Sequence, residues 1–234
     1  DWRMAFIVVG LAGIALAPIF KLVVREPVRG RFDAGGSSRT AASFGEVMRM
    51  LISKRSFWGL SFGASASSMM GYGMFFWLPS FFVRSYQLTL LEASLYYGAI
   101  LLVGGIAGIW MGGSLADRLG ADRRRMYAII PAVAFLATIP FYVGAVTSNS
   151  LVLSFVLFLV PTALGLVWLG PVLSSIQHVV PPHMRATASA VFLFVNNLIG
   201  IGLGSVALGA LSDVLSVRYG ADSLRYAILA GTSF

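Results

Sequence analysis

Cysteine does not occur in this chain of 234 residues, and histidine occurs only twice. The first absence excludes a disulfide framework and a thiolate metal site. The two histidines, His178 and His183, flank Pro181-Pro182. Their spacing is poor for a shared metal, and no Cys, Asp or Glu stands close in sequence to complete a ligand set. Charge is scarce as well, at 11% of residues against about 25% in soluble domains. A membrane-embedded enzyme would need a nucleophile, carboxylate or histidine cluster at depth, and the apolar runs hold none. The expectation is therefore no catalytic residue, no metal and no cofactor.

Apolar residues make up 58% of the chain, with a mean hydropathy of +0.85. One core of this size cannot hide so much apolar surface, so the sequence calls for hydrocarbon as its solvent. Seven apolar runs can be marked: 4–24, 57–83, 93–116, 126–146, 151–177, 186–212 and one that starts near Leu224. At about 1.5 Å per residue each complete run can cross a core of about 30 Å. Only helices satisfy their own backbone in lipid, and the alternating ten-residue segments of a barrel are missing. The fold class is all-α, a polytopic membrane helix bundle. Opening at Asp1 and stopping at Phe234 inside an apolar run, the sequence reads as a piece of a longer polypeptide.

The loop charges alternate. Of 17 basic residues, 13 fall in connections on one side of the expected membrane. Lys21, Arg25, Arg29, Arg31, Arg39, Arg49, Lys54 and Arg55 lie between the first and second runs. Arg118, Arg123, Arg124 and Arg125 follow the third, and Arg185 precedes the sixth. Arg3, Arg84, Arg218 and Arg225 lie opposite. The positive side is read as cytoplasmic, in a cell (inner) membrane. The pI near 10.3 then reflects orientation, not nucleic acid. Three regions follow: a membrane helix over 1–26, a cytoplasmic linker over 27–55, and a membrane bundle over 56–234. The linker begins with the Gly/Ser/Arg-rich stretch Pro27–Ala42. Ser43 and Glu46 then have capping-box spacing. Phe44, Val47, Met48, Leu51 and Ile52 share one face, which reads as a short helix lying on the inner membrane surface.

Gly104, Gly108 and Gly112 leave a groove for close helix approach. Gly113, Leu115, Asp117, Arg118 and Gly120 then spell G-x-L-x-D-R-x-G. This resembles the cytoplasmic-loop motif of the major facilitator superfamily. The sequence departs from it where Ala121 and Asp122 precede the Arg run. "DWRMAF", "REPVRG", "YGMFFWLPSFFVR" and "VVPPHMRATASAVFLFVNNLIGIGLGSVALGALSD" are similar to the sixth, seventh and eleventh helices of the spinster-like branch. The resemblance implies that the runs are helices six to twelve of a twelve-helix transporter, whose N-terminal half is a further partner. It implies a conformational gate built from Gly113, Asp117, Arg118, Gly120 and Arg185, with the Asp facing a helix N-terminus of the other half. It also implies alternating access, amphipathic cargo such as lysophospholipids or sphingoid phosphates, and acidic and basic cavity residues on early helices.

The residues themselves narrow the site. The second to sixth runs carry almost no ionisable group at depth, so a proton-coupling residue is expected outside this chain. Ser61, Ser65, Ser68 and Tyr72 put a polar stripe on the second run, amid methionines and aromatics suited to an acyl chain. Tight helix packing explains the same serines. Pro79 is expected to bend the outer end of this helix. Ser189, Asn196, Gly200 and Gly204 share a face of the sixth run. Asn196 and Asn197 need a partner near the midplane, either a neighbouring helix or a substrate. Trp168, Gly170 and Pro171 mark the fifth run as broken or bent, bordering a substrate site or merely kinked. The candidate pathway is Ser65, Ser68, Tyr72, Trp168, Asn196 and Asn197.

Single cysteines at Arg124 and Arg218 should be labelled by impermeant maleimide from opposite faces of the membrane. Labelling from the same face would overturn the topology.

Overall fold

In the computed structural model, which describes residues 2–24, 42–120 and 123–232, all seven apolar runs are helical. No strand occurs among the described residues. The chain forms two compact units, Asp1–Thr40 and Ala41–Phe234. The first contains α1 (Trp2–Val23), which carries Pro18 inside and Lys21 in its last turn. Most of the Pro27–Ala42 linker, and Ala121-Asp122, lie outside the described residues.

The second unit opens with α2 (Phe44–Ser53), which has the expected capping box. The Ser43 backbone N–H donates to the Glu46 carboxylate at 2.9 Å, and the Glu46 N–H donates to Ser43 Oγ at 3.3 Å. The Ser43 backbone N–H, and after it the Ser43 hydroxyl, hold the Glu46 carboxyl below its usual range. Extended backbone at Lys54 separates α2 from α3 (Arg55–Tyr86), so α2 is a helix in its own right. Only part of its apolar face turns inward: Val47 and Leu51 are buried, while Phe44 and Ile52 stay exposed.

The rest of the unit runs α4 (Leu90–Leu115), a π-helical turn (Ala116–Gly120), α5 (Met126–Thr147), α6 (Leu151–Leu164) and α7 (Leu169–Val179). A short 3-10 turn (Pro182–Met184), α8 (Arg185–Tyr219), a second 3-10 turn (Gly220–Asp222) and α9 (Ser223–Gly231) complete it. Five helical stretches are long and apolar enough to cross a membrane: Arg3–Val23, Leu90–Gly120, Met126–Thr147, Leu151–Val179 and Pro182–Gly231. α3 is 32 residues long, roughly 48 Å, but its serines and glycines lower its hydropathy. It continues unbroken through Pro79.

The outward faces of this unit are as apolar as the inward ones. Leu102, Ile106, Trp110, Leu198 and Val206 are each at least 60% exposed, a pattern stable only against hydrocarbon. Inside, two large apolar clusters form beside a small one of Ile130, Ala134 and Val167. One gathers Phe81, Phe82, Ile100, Tyr142, Phe158 and Leu224. The rings of Phe81 and Phe82 each meet that of Phe158 edge-on at 5.8 Å. The other joins Val47 and Leu51 of α2 to Phe57, Trp168, Ile176, Met184 and Phe192.

Lipid does not squeeze apolar helices together, so close backbone approach supplies the cohesion. The Gly104, Gly108 and Gly112 stripe of α4 lies along α6 and the turn after it. A side chain at Gly108 would run into the Ala163 backbone, and one at Gly112 into that of Val167. The same contact locates the break between α6 and α7. Pro171 has no N–H for the Val167 carbonyl, four residues earlier, and that oxygen is the atom nearest Gly112. Leu166, Val167 and Leu169 bond three residues back instead. The run is broken, as Trp168, Gly170 and Pro171 led one to expect; the interruption covers 165–168, with Pro171 in the first turn of α7.

Replacing Gly108 with Leu should force α4 from α6 and lower stability by at least 1–3 kcal/mol, about the cost of overpacking. Gly98, with nothing within 4 Å of an added Cβ, should accept Ala without loss. Thermal unfolding in detergent measures both.

Candidate functional site

α3 and α8 meet along a seam built from small and polar residues. Gly204 lies against the Met69 backbone, and a Cβ at Gly200 would come within 2.8 Å of Ser68 Cβ. That closeness lets short side chains bond across the seam. Ser68 Oγ donates to Asn196 Oδ1 at 2.9 Å. The Tyr72 hydroxyl donates to Asn197 Oδ1 at 2.9 Å. Trp77 Nε1 donates to the Ser205 carbonyl at 2.9 Å. Ser65 also lies in the buried seam, donating back to the Ser61 carbonyl at 2.7 Å.

A cavity of about 580 Å³ opens beside this seam. Five of the six candidate pathway residues line it: Ser68, Tyr72, Trp168, Asn196 and Asn197. Ser65 does not. Met70, Met74 and Phe75 of α3 form an adaptable apolar wall. The break between α6 and α7 contributes Gly165, Leu166 and Trp168, and the Trp168 ring meets Phe192 edge-on at 6.0 Å. No charged side chain among the described residues lines the cavity.

The wall opposite was not legible in the sequence. Thr138 and Tyr142 of α5 and Tyr97 of α4 also line the space. The one signal for α5 was that Thr138 and Tyr142 share a face at i, i+4 of an otherwise apolar run.

The candidate gate residues sit apart, around the end of α4. Of the two motif glycines only Gly120 is closely approached, and a Cβ at Gly113 would meet nothing within 4 Å among the described residues. A Cβ at Gly170 would come within 3.1 Å of Gly113, and one at Gly120 within 2.6 Å of the Tyr127 ring. The Tyr127 ring lies 6.1 Å from that of His178. His178 belongs to the last turn of α7, not to a loop. Asp117 and Arg118 are exposed. Arg185 Nε donates to the Gln177 carbonyl at 3.0 Å, tying the start of α8 to α7. No group of three or more His, Asp or Glu residues able to hold a metal occurs among the described residues.

A sequence model of the Major Facilitator Superfamily matches residues 1–230. The chain is similar to an MFS-type efflux pump of Mycolicibacterium smegmatis, 33% identical over 97% of this chain and 52% of that protein. It is also similar to protein spinster homolog 3 of Danio rerio, 30% identical over 92% of this chain and 46% of that protein. A sphingosine-1-phosphate transporter of Danio rerio is 28% identical over 97% of this chain and 49% of its own length. Among solved structures, a bacterial homologue of the human lysosomal transporter spinster, inward-facing and unoccupied, matches with a TM-score of 0.78. It is 28% identical, covering 99% of this chain and 56% of its own. The chain spans about half the length of the relatives it matches.

Removing the Ser68 hydroxyl leaves Asn196 Oδ1 short of a partner. A double-mutant cycle of Ser68→Ala and Asn196→Ala, read by thermal unfolding, should return a coupling of about 0.6 kcal/mol, the usual value for such bonds in membranes.

Proposed function

This chain belongs to the Major Facilitator Superfamily, in its spinster-like branch, and we propose that it forms the C-terminal half of a carrier that works by alternating access. On this reading its helices correspond to the sixth to twelfth of the family fold, and a second half closes the other side of the cavity. The cargo is amphipathic, a lipid-like or organic anion of the lysophospholipid or sphingoid phosphate class. The observation that carries this reading is the cavity. It is apolar over most of its wall, has methionines and aromatics for a tail, and gathers its side-chain amides beside the α3–α8 seam. The Danio rerio relative named as a sphingosine-1-phosphate transporter supports the lipid class. The Mycolicibacterium smegmatis efflux pump favours a second reading, export of another small organic anion or drug.

The remaining assignments belong to the same proposal. Asp117 and Arg118, exposed and without an ion-pair partner among the described residues, meet the other half at the inner gate together with Gly113, Gly120 and Arg185. An anion at a helix N-terminus gains roughly 0.3–1 kcal/mol, enough to bias one conformation and still release. α2 lies on the inner surface of the cell membrane, with Arg49, Lys54 and Arg55 toward the headgroups. Any proton coupling resides in the other half, because no Asp, Glu, His, Lys or Arg among the described residues lines the cavity. No step of this cycle is a catalysed reaction.

Full-length protein in proteoliposomes should take up labelled lysophospholipid saturably. Binding without flux would favour a receptor of the same fold. Asp117→Ala should slow transport roughly two- to fivefold while substrate affinity holds. A collapse of affinity with the conformational equilibrium unchanged would remove Asp117 from the gate.

A further inference from the structure

We propose that Ser68 and Tyr72 are positioning residues that fix the Asn196 and Asn197 amides as a pair of hydrogen-bond donors, and that this pair selects cavity ligands by the acceptor oxygens of their headgroup. The inference rests on the cavity being the substrate site and adds the basis of its selectivity.

A primary amide carries one acceptor oxygen and two N–H donors. In both asparagines a hydroxyl from α3 occupies the oxygen, Ser68 on Asn196 and Tyr72 on Asn197, each at 2.9 Å. The two hydroxyls stand one helical turn apart and meet consecutive residues of α8. Neither amide nitrogen has an acceptor among the described residues. Both asparagines line the cavity, and Asn196 is only 2% exposed. Trp168 adds an indole N–H, which can only donate and likewise has no acceptor among the described residues.

One lone pair of each oxygen is thereby taken, so what the amide pair offers a ligand is chiefly its four N–H donors. A buried donor left without an acceptor is costly, which makes the pair discriminating. A phosphate, carboxylate or ester carbonyl supplies the missing oxygens. An alkylammonium group offers only further donors and leaves the amide N–H groups unpaired. No cationic side chain among the described residues lines the cavity, so the preference arises from hydrogen-bond direction and not from a fixed positive charge. The two hydroxyls matter because an unrestrained amide can turn over and present its oxygen to an amine.

The test uses full-length protein in nanodiscs of neutral lipid, with dodecyl phosphate and dodecylammonium as probes of equal tail length. Wild type should bind the phosphate about tenfold more tightly, the worth of one well-made bond. Tyr72→Phe and, separately, Ser68→Ala should bring the two affinities together, chiefly by improving binding of the amine. A merely structural role would weaken both probes alike and keep their ratio. An unchanged ratio in a variant that still binds overturns this inference alone. Failure of wild type to bind either probe overturns the cavity reading and this inference with it.

Discussion

In hydrocarbon a polar group has no water to fall back on, and the Ala41–Phe234 unit is organised around that constraint. Helices satisfy the backbone. Side chains and interrupted backbone must find partners inside the bundle, and the places where they do are the places where helices touch most closely. The α3–α8 seam is the clearest case. Ser68, Tyr72 and Trp77 reach Asn196, Asn197 and Ser205 only because Gly200 and Gly204 remove the side chains that would hold the helices apart. Small residues and polar residues act together there. The first permit proximity, and the second make separation costly.

The glycine stripe on α4 serves the same constraint in another form. The turn at 165–168 departs from regular α-helical bonding and leaves the Val167 carbonyl without its usual N–H. Irregular backbone at membrane depth is tolerated where it is buried in protein or lines a cavity. One side of this turn is packed on Gly112, and Gly165 and Trp168 line the cavity on the other. The break and the stripe are two halves of one structural solution.

What the sequence made legible follows from this. Helix number and the capping box at Ser43 depend on local chemistry and long apolar runs, which one sequence displays. Asn196 was also legible as a residue needing a partner, because an amide inside an apolar run is conspicuous. Its two open partners, a neighbouring helix or a substrate, were not exclusive. Its oxygen is taken by α3, and the residue also lines the cavity. Ser65 and Ser68 looked alike in the sequence stripe, yet only Ser68 borders the cavity. A shift of three residues turns a side chain by about 60°, which is enough to move it from one side of the seam to the other. The α5 wall stayed hidden for a more general reason. Where lipid-facing and interior residues are equally apolar, hydrophobic periodicity does not tell one face from the other. Phe44 and Ile52 illustrate this on α2, sharing a face in sequence with Val47 and Leu51 but remaining exposed.

The distribution of charge completes the physical picture. The chain holds 17 basic residues, yet none of those described lines the cavity. An ion pair at membrane depth has to overcome the desolvation of both partners, and an unpaired charge there is costlier still. A wall of neutral dipoles avoids that cost and binds less tightly than a buried counter-charge would. For a carrier, weaker binding is useful, because a site that must open to the other side has to release what it holds. On the reading proposed here, this half contributes shape and hydrogen-bond direction. Strong electrostatic terms are left to groups that can be exposed and neutralised as the two halves rock.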